Sequence, residues 1–542
     1  MKKIYSLLLG AATVLMLALS CSDKDFDDKY YDPSKTTTVS CDRLMTGAFI
    51  GDNTGRYAFN SYWRMYTWDN YFGHLAQTIG YSVNSGSMYY VNDGYVAQRW
   101  DDFYGILRQY RVMQAKYESE TAEEQDRDKL FLTLTEIFLY DQLSQIVDIF
   151  GPVPFSQAGY LPISGNLATS YPAYDSDVDL YRMMIEELGS IYTYLSNLGL
   201  SAVQSASLTA QDFINKGDLD LWIKYANALR LRLAVHVSAQ GDLTSVGRGA
   251  VAECASRPLP TDWETSIKLD SDYDGFKFWE NFRDGFKDIN YTASQPMIDE
   301  MQITGENDPR LKVIYTPNAD GEYYGMSTSE TDEQQNERST YTDYEDRYYA
   351  HLDSATFVAN GLMQSPVISA AECYFLLAEA YAQGYGVAAS EASAKTAFQN
   401  GVVASIEQWY NQNVNSDQTN IALRSNTYKA TAEDIPTEDE ARTYADKVWD
   451  AHGNAMEAIM TQKWLHFGIM QATQAWTDIR RTGLPDLYYP TDGQASVNKN
   501  IVQRTAYPGE ERNNNKENYD AIISSVGNDS FDHVLFWAKK VD

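Results

Sequence analysis

Residues 369–383 read Ser369-Ala-Ala-Glu372-Cys-Tyr374-Phe-Leu-Leu377-Ala378-Glu-Ala-Tyr381-Ala-Gln383. Ala371, Tyr374, Ala378 and Tyr381 recur at three- and four-residue intervals, the spacing of one face of an α-helix. Ser369 followed three residues on by Glu372 predicts a capping box at its start. The order of ring, leucine, small residue and ring at Tyr374, Leu377, Ala378 and Tyr381 fits a tetratricopeptide helix, and Ala394 and Phe398 fit its partner.

Other stretches carry the same signal more weakly. Trp222, Tyr225, Ala226 and Leu229 fit in part, as do Trp464, Phe467 and Gly468; Trp100 with Phe103 fits least. The intervals between these units are irregular, which excludes a regular solenoid and leaves irregular helical pairs. Helical periodicity also predicts helices over 129–149, ending before Gly151-Pro152, over 178–196 after Ser176, over 218–237 and over 455–472. In 218–237, Trp222, Tyr225, Ala226, Leu229, Leu233 and Val237 share one stripe, which reads as core. Cys373 lies within an apolar helix pattern and reads as a small core residue.

Residues 51–99 and 255–365 differ. They are rich in Gly, Asn, Asp, Ser and Tyr and show little periodicity, so they read as long ordered loops with short strands, for example near Leu311–Tyr315. The expected fold is therefore all-α: irregular tetratricopeptide-like pairs with a loop-rich capping region at 255–365 containing minor β.

The first residues say where the chain goes. Met1-Lys2-Lys3 precedes an apolar run from Ile4 to Leu19, closed by Ser20-Cys21. A cationic start, a short apolar stretch and a small residue before the cut make a secretory signal over 1–20. A cysteine directly after the cut resembles a lipobox, although Ala18 stands where that pattern prefers leucine. Cys21 is then the lipidation site. Residues 21–45 form an acidic tether, and 46–542 a single domain. Asp23, Asp25, Asp27 and Asp28 resemble the surface-export signal of some Gram-negative lipoproteins.

The 542 residues carry a net charge of −32, or −34 once Lys2 and Lys3 are removed. Such an acidic chain does not bind nucleic acid by simple charge. With Cys21 lipidated, Cys41, Cys254 and Cys373 are too widely spaced for a disulfide framework or a metal motif.

No nucleophile elbow, zinc-protease motif or phosphate loop is present. One cation signal exists: Asp270, Asp272 and Asp274 followed by Gly275 match the first half of a calcium loop, but position 12 is Asn281, with Glu280 one residue early. Ca2+ is the one candidate ion, and no cofactor is required. The chain holds 41 Tyr, whose rings offer a flat apolar face and a polar tip. The clusters at Trp63–Phe72, at Tyr81, Tyr89, Tyr90, Asn92 and Tyr95, at Tyr273–Phe282 and at Tyr323-Tyr324 lie in the loop segments. The expected ligand site uses Tyr81, Tyr89, Tyr90 and Asn92, with help from Tyr273, Trp279 and Tyr324.

Several motifs together resemble the SusD/RagB family of outer-membrane nutrient-binding lipoproteins. They are Phe150-Gly-Pro-Val-Pro-Phe155, with Pro152 in place of the usual Asp, and Gly217-Asp-Leu-Asp-Leu-Trp222 with Ala226-Asn-Ala-Leu-Arg230-Leu-Arg232-Leu-Ala234. Asp308-Pro-Arg-Leu311, Ala371-Glu372 with Leu376–Ala380, and Gln462-Lys-Trp464 with Ala475-Trp476, Asp478, Arg480-Arg-Thr-Gly483 and Pro485 follow. Arg504, Tyr507-Pro508, Glu511, Asn514 and Asn518 complete the set.

The resemblance implies a non-enzymatic surface lipoprotein that captures oligosaccharide for a SusC-like TonB-dependent outer-membrane transporter. A peptide-binding RagB-like relative with the same kind of partner is the alternative, and a surface glycosidase a weaker one. Ligand-binding positions vary within the family, so none carries over by motif.

Overall fold

The computed structural model describes residues 39–50, 70–80, 93–270, 272–273, 276–277, 292–339, 347–417, 426–489 and 502–539. Helix dominates. In chain order we number α1 Cys41–Ile50, α2 Asn70–Leu75, α3 Asp93–Glu118, α4 Ala122–Phe150, α5 Asp177–Ser196, α6 Ala202–Gln211, α7 Leu219–His236, α8 Thr244–Cys254, α9 Gln295–Met301 and α10 Asp332–Ser339. Then follow α11 Ala370–Gln383, α12 Glu391–Val414, α13 Glu438–Ala451, α14 Ala455–Phe467, α15 Ala472–Thr482, α16 Gly509–Asn514 and α17 Lys516–Val526. The expected all-α fold with minor β is observed. Three antiparallel two-stranded sheets accompany the helices: β1 Ile267–Leu269 with β6 Ser365–Ile368, β2 Asp272–Tyr273 with β3 Phe276–Lys277, and β4 Tyr315–Thr316 with β5 His351–Leu352.

The helices pack as pairs. α11 and α12 form the most extensive pair; α3 lies on α4 with α1 across both; α7 packs between α5 and α8 and touches α4 and α11. The α11–α12 hairpin needs its glycines. Gly401 admits the Phe375 ring, whose Cε1 would lie 2.7 Å from an added Cβ. Gly386, at φ +67°, sits so close to α8 that a Cβ would fall 1.9 Å from the Arg248 carbonyl oxygen. Phe375 and Phe398, both fully buried, meet at 6.2 Å across the pair.

α4 begins at a complete capping box. Thr121 Oγ1 accepts from the Glu124 N–H, and the Glu124 carboxylate accepts from the Thr121 N–H at 2.9 Å. It ends where Gly151 adopts φ +82° and Pro152 cannot extend the ladder. The first turns escape periodicity because they carry exposed polar residues such as Glu123 and Asp126.

α7 is buried on nearly every side. Trp222 stacks between Phe49 and Tyr225, both at 5.7 Å, and its Nε1–H donates to Asp212 at 2.7 Å. Burying each such large apolar side chain stabilises by about 1.5–3 kcal/mol.

Five expectations need correction. Ser369 caps α11 through the Glu372 N–H at 3.1 Å, but Glu372 does not return to the cap. Its carboxylate is held instead by Arg232 at 2.6 and 2.8 Å. The deepest face of α11 carries Glu372, Phe375, Leu376 and Glu379, while Tyr374 and Tyr381 are only half-buried. The helix expected over 455–472 ends at Phe467, where Gly468 takes φ +47°, and α15 begins only at Ala472. Residues 51–99 contain α2 and the start of α3, and Leu311–Ile314 is a helical turn that precedes the strand at Tyr315.

The conserved-looking motifs of the sequence fall on buried joints between helices. Arg232 also reaches Asp141 at 3.2 Å, and Asp141 accepts from the Tyr225 hydroxyl at 2.7 Å. Arg481 ties Glu379 of α11 to Asp478 of α15, and Lys463 of α14 reaches Asp478 at 2.8 Å. Arg310 is held by Asp308 at 2.6 Å and by Gln462 and Ser405, and Tyr444 donates to Asp308. Tyr507 donates to the Pro152 carbonyl at 2.7 Å. Buried charge persists only when paired and hydrogen-bonded, so these joints specify one helix arrangement. One apolar cluster runs continuously from Cys41 to Ala538.

Candidate functional site: an aromatic platform

Three extended segments meet beside β4 and β5. Ala293 N–H donates to the Ala350 carbonyl at 2.8 Å, Ala350 to Tyr324 at 2.7 Å, Met326 to Ala293 at 2.8 Å and Gln295 to Met326 at 3.0 Å. Thr292 bridges to His351, and Ser294 to Met326. The backbone groups of this patch satisfy one another.

On this frame stand Tyr324, Tyr348 and Tyr349. Tyr324 meets Tyr348 edge-on at 5.0 Å and lies nearly parallel to Tyr349 at 6.0 Å; Tyr348 meets Tyr349 edge-on at 5.2 Å. Arg338 of α10 covers Tyr348 at 4.6 Å and Tyr324 at 5.6 Å. Its guanidinium pairs with Glu330 and donates to the Tyr324 hydroxyl at 3.3 Å. Tyr349 donates to the other Glu330 oxygen at 2.6 Å. Burial, then the bond to Glu330, push the Tyr349 hydroxyl well above its ordinary value, so it stays a donor. Burial works to lower the Arg338 value, but Glu330 and the tyrosines Tyr324, Tyr349 and Tyr348 together raise it, so the guanidinium stays charged. Tyr349 is buried and forms the floor; Tyr324 and Tyr348 are half-exposed.

A fourth ring borders this patch. Tyr488 is 60 % exposed, and its carbonyl accepts from Gln77 Nε2 at 2.8 Å and Thr328 Oγ1 at 3.0 Å. Nearby, Gly80 donates to the Thr292 carbonyl at 2.9 Å. A Cβ on Gly80 would lie 2.2 Å from Thr292 Oγ1 and 2.9 Å from Met326 Cβ, so only glycine lets the chain cross here. On the other side of the same segment, Tyr323 lines a cavity of about 500 Å³ with Lys312, Tyr410, Ile435 and Glu440.

Of the residues expected at the site, Tyr324 is on the platform. Tyr81, Tyr89, Tyr90, Asn92 and Trp279 lie outside the described residues, as do Cys21 and Asp274. The described chain does reach Gly80, on the platform's edge. Tyr273 and Asp272 form strand β2, opposite Phe276 and Lys277. Asp270 is already engaged: Lys216 pairs with one carboxylate oxygen and Gln364 Nε2 donates to the other at 2.6 Å. Tyr348, Tyr349, Tyr488, Arg338 and Glu330 were not singled out by sequence. Nothing local separates these tyrosines from the rest, although Tyr348-Tyr349 repeats the doublet form of Tyr323-Tyr324.

Cys41, Cys254 and Cys373 are buried free thiols. Cys41, Glu120 and Asp128 bring ligand atoms within 4.8 Å of one another. Lys116 holds Glu120 at 2.5 Å, Arg127 holds Asp128 at 2.6 Å, and burial together with the two carboxylates pushes the thiol up to about 12. Such a protonated, internally neutralised group is a poor cation site.

The family model described as SusD-like, Susd and RagB outer membrane lipoprotein, matches residues 45–538. No curated protein matches the sequence. Among solved structures, a chitin-binding protein superposes with a TM-score of 0.71 at 20% identity, covering 92% of this chain and 100% of that one. A SusD homologue from Parabacteroides distasonis gives 0.69 at 20% identity over 92% and 98%. A chitin-binding SusD homologue from Flavobacterium johnsoniae gives 0.66 at 18% identity over 92% and 99%. At these identities the structures establish a shared fold.

Proposed function

The chain belongs to the SusD-like family, and from that premise we propose that it captures oligosaccharides at the cell surface and delivers them to a SusC-like TonB-dependent outer-membrane transporter. The observation that carries the reading is the platform. Tyr324, Tyr348 and Tyr488 offer ring faces of the kind that stack on sugar rings, and Arg338, held in place by Glu330, sits beside them as a hydrogen-bond donor for hydroxyls. The expected ligand residues Tyr81, Tyr89, Tyr90, Asn92, Tyr273 and Trp279 are kept in the proposal, and Ca2+ at Asp270, Asp272 and Asp274 is kept as a separate one.

The reading is of a binding protein rather than an enzyme. Glycoside hydrolysis uses two carboxylates flanking the bond. Glu330, the carboxylate bonded to these rings, is already held by Arg338 and Tyr349. Stacking needs no cofactor. Among the described residues no helix is long and apolar enough to cross a membrane, and we place the protein on the outer membrane through lipid at Cys21, facing outward. Cys21→Ala should then move the protein from the membrane to the soluble fraction.

Calorimetry on protein lacking residues 1–21 tests the site, with chitin oligosaccharides as the first probe and other glycans and peptides beside them. Tyr324→Ala with Tyr348→Ala should weaken binding at least tenfold with little change in melting temperature. Binding of peptides alone, unchanged affinity in the variant, or turnover of the glycan would overturn the reading.

A further inference from the structure

Glu330 closes the turn that leads into α10. Its N–H donates to the Ser327 carbonyl at 3.2 Å, and Gln335 of α10 donates to that same carbonyl through its side chain at 3.1 Å. Thr331, next in the chain, exchanges two bonds with Gln334. The Thr331 N–H donates to Gln334 Oε1 at 2.9 Å, and Thr331 Oγ1 accepts from the Gln334 N–H at 3.2 Å. Local bonds therefore fix the backbone on both sides of Glu330.

Both carboxylate oxygens of Glu330 are engaged within the platform. One accepts from the Arg338 guanidinium and, at 3.4 Å, from the Tyr324 hydroxyl; the other accepts from Tyr349 at 2.6 Å. Three donors converge on one carboxylate whose side chain is only 7% exposed, while that of Arg338 is 22% exposed. The cation is the more exposed partner, and the anion that neutralises it is covered.

Arg338 is the cation that this surface offers. Among the described residues of the platform segments, 77–80, 292–295, 323–339, 347–352 and 486–489, the other basic side chains are Arg347 and His351, and both are buried. Acids are more numerous at the surface. Glu333 and Glu337 of α10 are exposed, as is Asp486, two residues before Tyr488. A guanidinium already paired with a carboxylate presents N–H donors but little net charge. A sugar hydroxyl can accept from such a donor at no electrostatic cost. A ligand carboxylate that does so brings a second negative charge onto the same guanidinium, close to Glu330, and like charges that near disfavour one another. The exposed acids around the rings add to the repulsion.

We infer that Glu330 sets the charge class of the cargo: it neutralises Arg338 internally, so the platform takes uncharged glycans and rejects uronic-acid and other carboxylated ones. The inference rests on the proposed function and narrows it. Glu330 is a positioning residue that acts through Arg338.

The test is calorimetry on the mature lipoprotein in zwitterionic detergent. Neutral oligosaccharides of chitin, starch and β-mannan are compared with the same compounds oxidised to carboxylates at C6. Wild type should bind its best neutral oligosaccharide at least tenfold more tightly than the carboxylated form. Glu330→Gln keeps the length and one acceptor of the side chain and leaves Arg338 with an unpaired charge. It should narrow that ratio at least fivefold, by a gain on the carboxylated form that high salt diminishes. Adding Arg338→Gln should return the ratio to the wild-type value. A role confined to holding the fold would lower affinity for both forms alike and leave the ratio unchanged. Equal or tighter wild-type binding of the carboxylated form overturns the inference and leaves the proposed function standing, as does an unchanged ratio in a folded Glu330→Gln protein. The wild-type comparison needs no variant and decides alone where Glu330→Gln does not fold. Failure of wild type to bind any of these oligosaccharides, neutral or carboxylated, overturns the proposed function and this inference together.

Discussion

Arg232 and Glu372, 140 residues apart, join two helices by a two-point ion pair wholly inside the core. The Glu372 that a capping box would have used locally is spent on this long-range contact, and Asp141 completes the set at 3.2 Å. Arg232→Met leaves two carboxylates buried without their cation. The expected cost is about 3–5 kcal/mol, read as a lower denaturant midpoint. Adding Glu372→Gln should recover part of that loss, because one uncompensated charge is then gone.

Trp222 fills the space between Phe49 and Tyr225. Trp222→Ala should cost about 3–5 kcal/mol. Trp222→Phe keeps most of the packing and removes only the donor to Asp212, so about 1–2 kcal/mol is expected. Both numbers come from chemical unfolding. An alanine variant with an unchanged midpoint would remove this tryptophan from the core.

Two glycines of the α11–α12 turn should respond differently. At Gly386 a Cβ meets the Arg248 carbonyl oxygen at 1.9 Å, and φ is +67°. At Gly384 φ is similar but the nearest atom is 3.4 Å away. Gly384→Ala should therefore cost about 1 kcal/mol, the price of the left-handed backbone. Gly386→Ala should cost clearly more, since α8 must also move. Equal melting temperatures for the two variants would contradict the close approach.

Glu136 accepts a hydrogen bond from the Tyr110 hydroxyl at 2.7 Å. Burial, helped by Glu187, raises its value to about 7 from an ordinary 4.5. The folded state then holds the proton more tightly than the unfolded chain between those two values. Stability from this group is present below about pH 4.5 and is lost as pH rises toward 7. Glu136→Gln keeps the acceptor and removes the titration. The variant should gain on wild type as pH goes from 4.5 to 7.5, by at most about 3 kcal/mol, in thermal melts across that range.

Helix α7 was legible to within a residue, over 218–237 against Leu219–His236, because its apolar stripe and Asp218 cap are both local signals. The tetratricopeptide-like pair was legible for the same reason. Gly468 was not: Ile469 and Met470 continue the apolar pattern across the break, and only the positive φ betrays it. The buried charges were invisible as a class. Nothing local marks Asp141, Arg232, Glu372 and Glu379 as buried, because the partners that hold them lie more than ninety residues away. At the candidate site, the loop-aromatic reading includes Tyr324, which the structure places among Tyr348 and Tyr349. Which tyrosines gather around it depends on three extended segments, Thr292–Ser294, Tyr323–Met326 and Tyr348–Leu352, that have no periodic signature.

Those segments are laid side by side by main-chain hydrogen bonds, while the helices are joined by side chains such as Arg232, Arg310 and Arg481. Cargo choice and architecture are thus written in different atoms. If the proposed platform grips the cargo, exchanging the ring at 324, 348 or 488 would change what it grips and leave the joints at Arg232, Arg310 and Arg481 intact. The scaffold can be retuned to new nutrients one side chain at a time, with no renegotiation of how it folds.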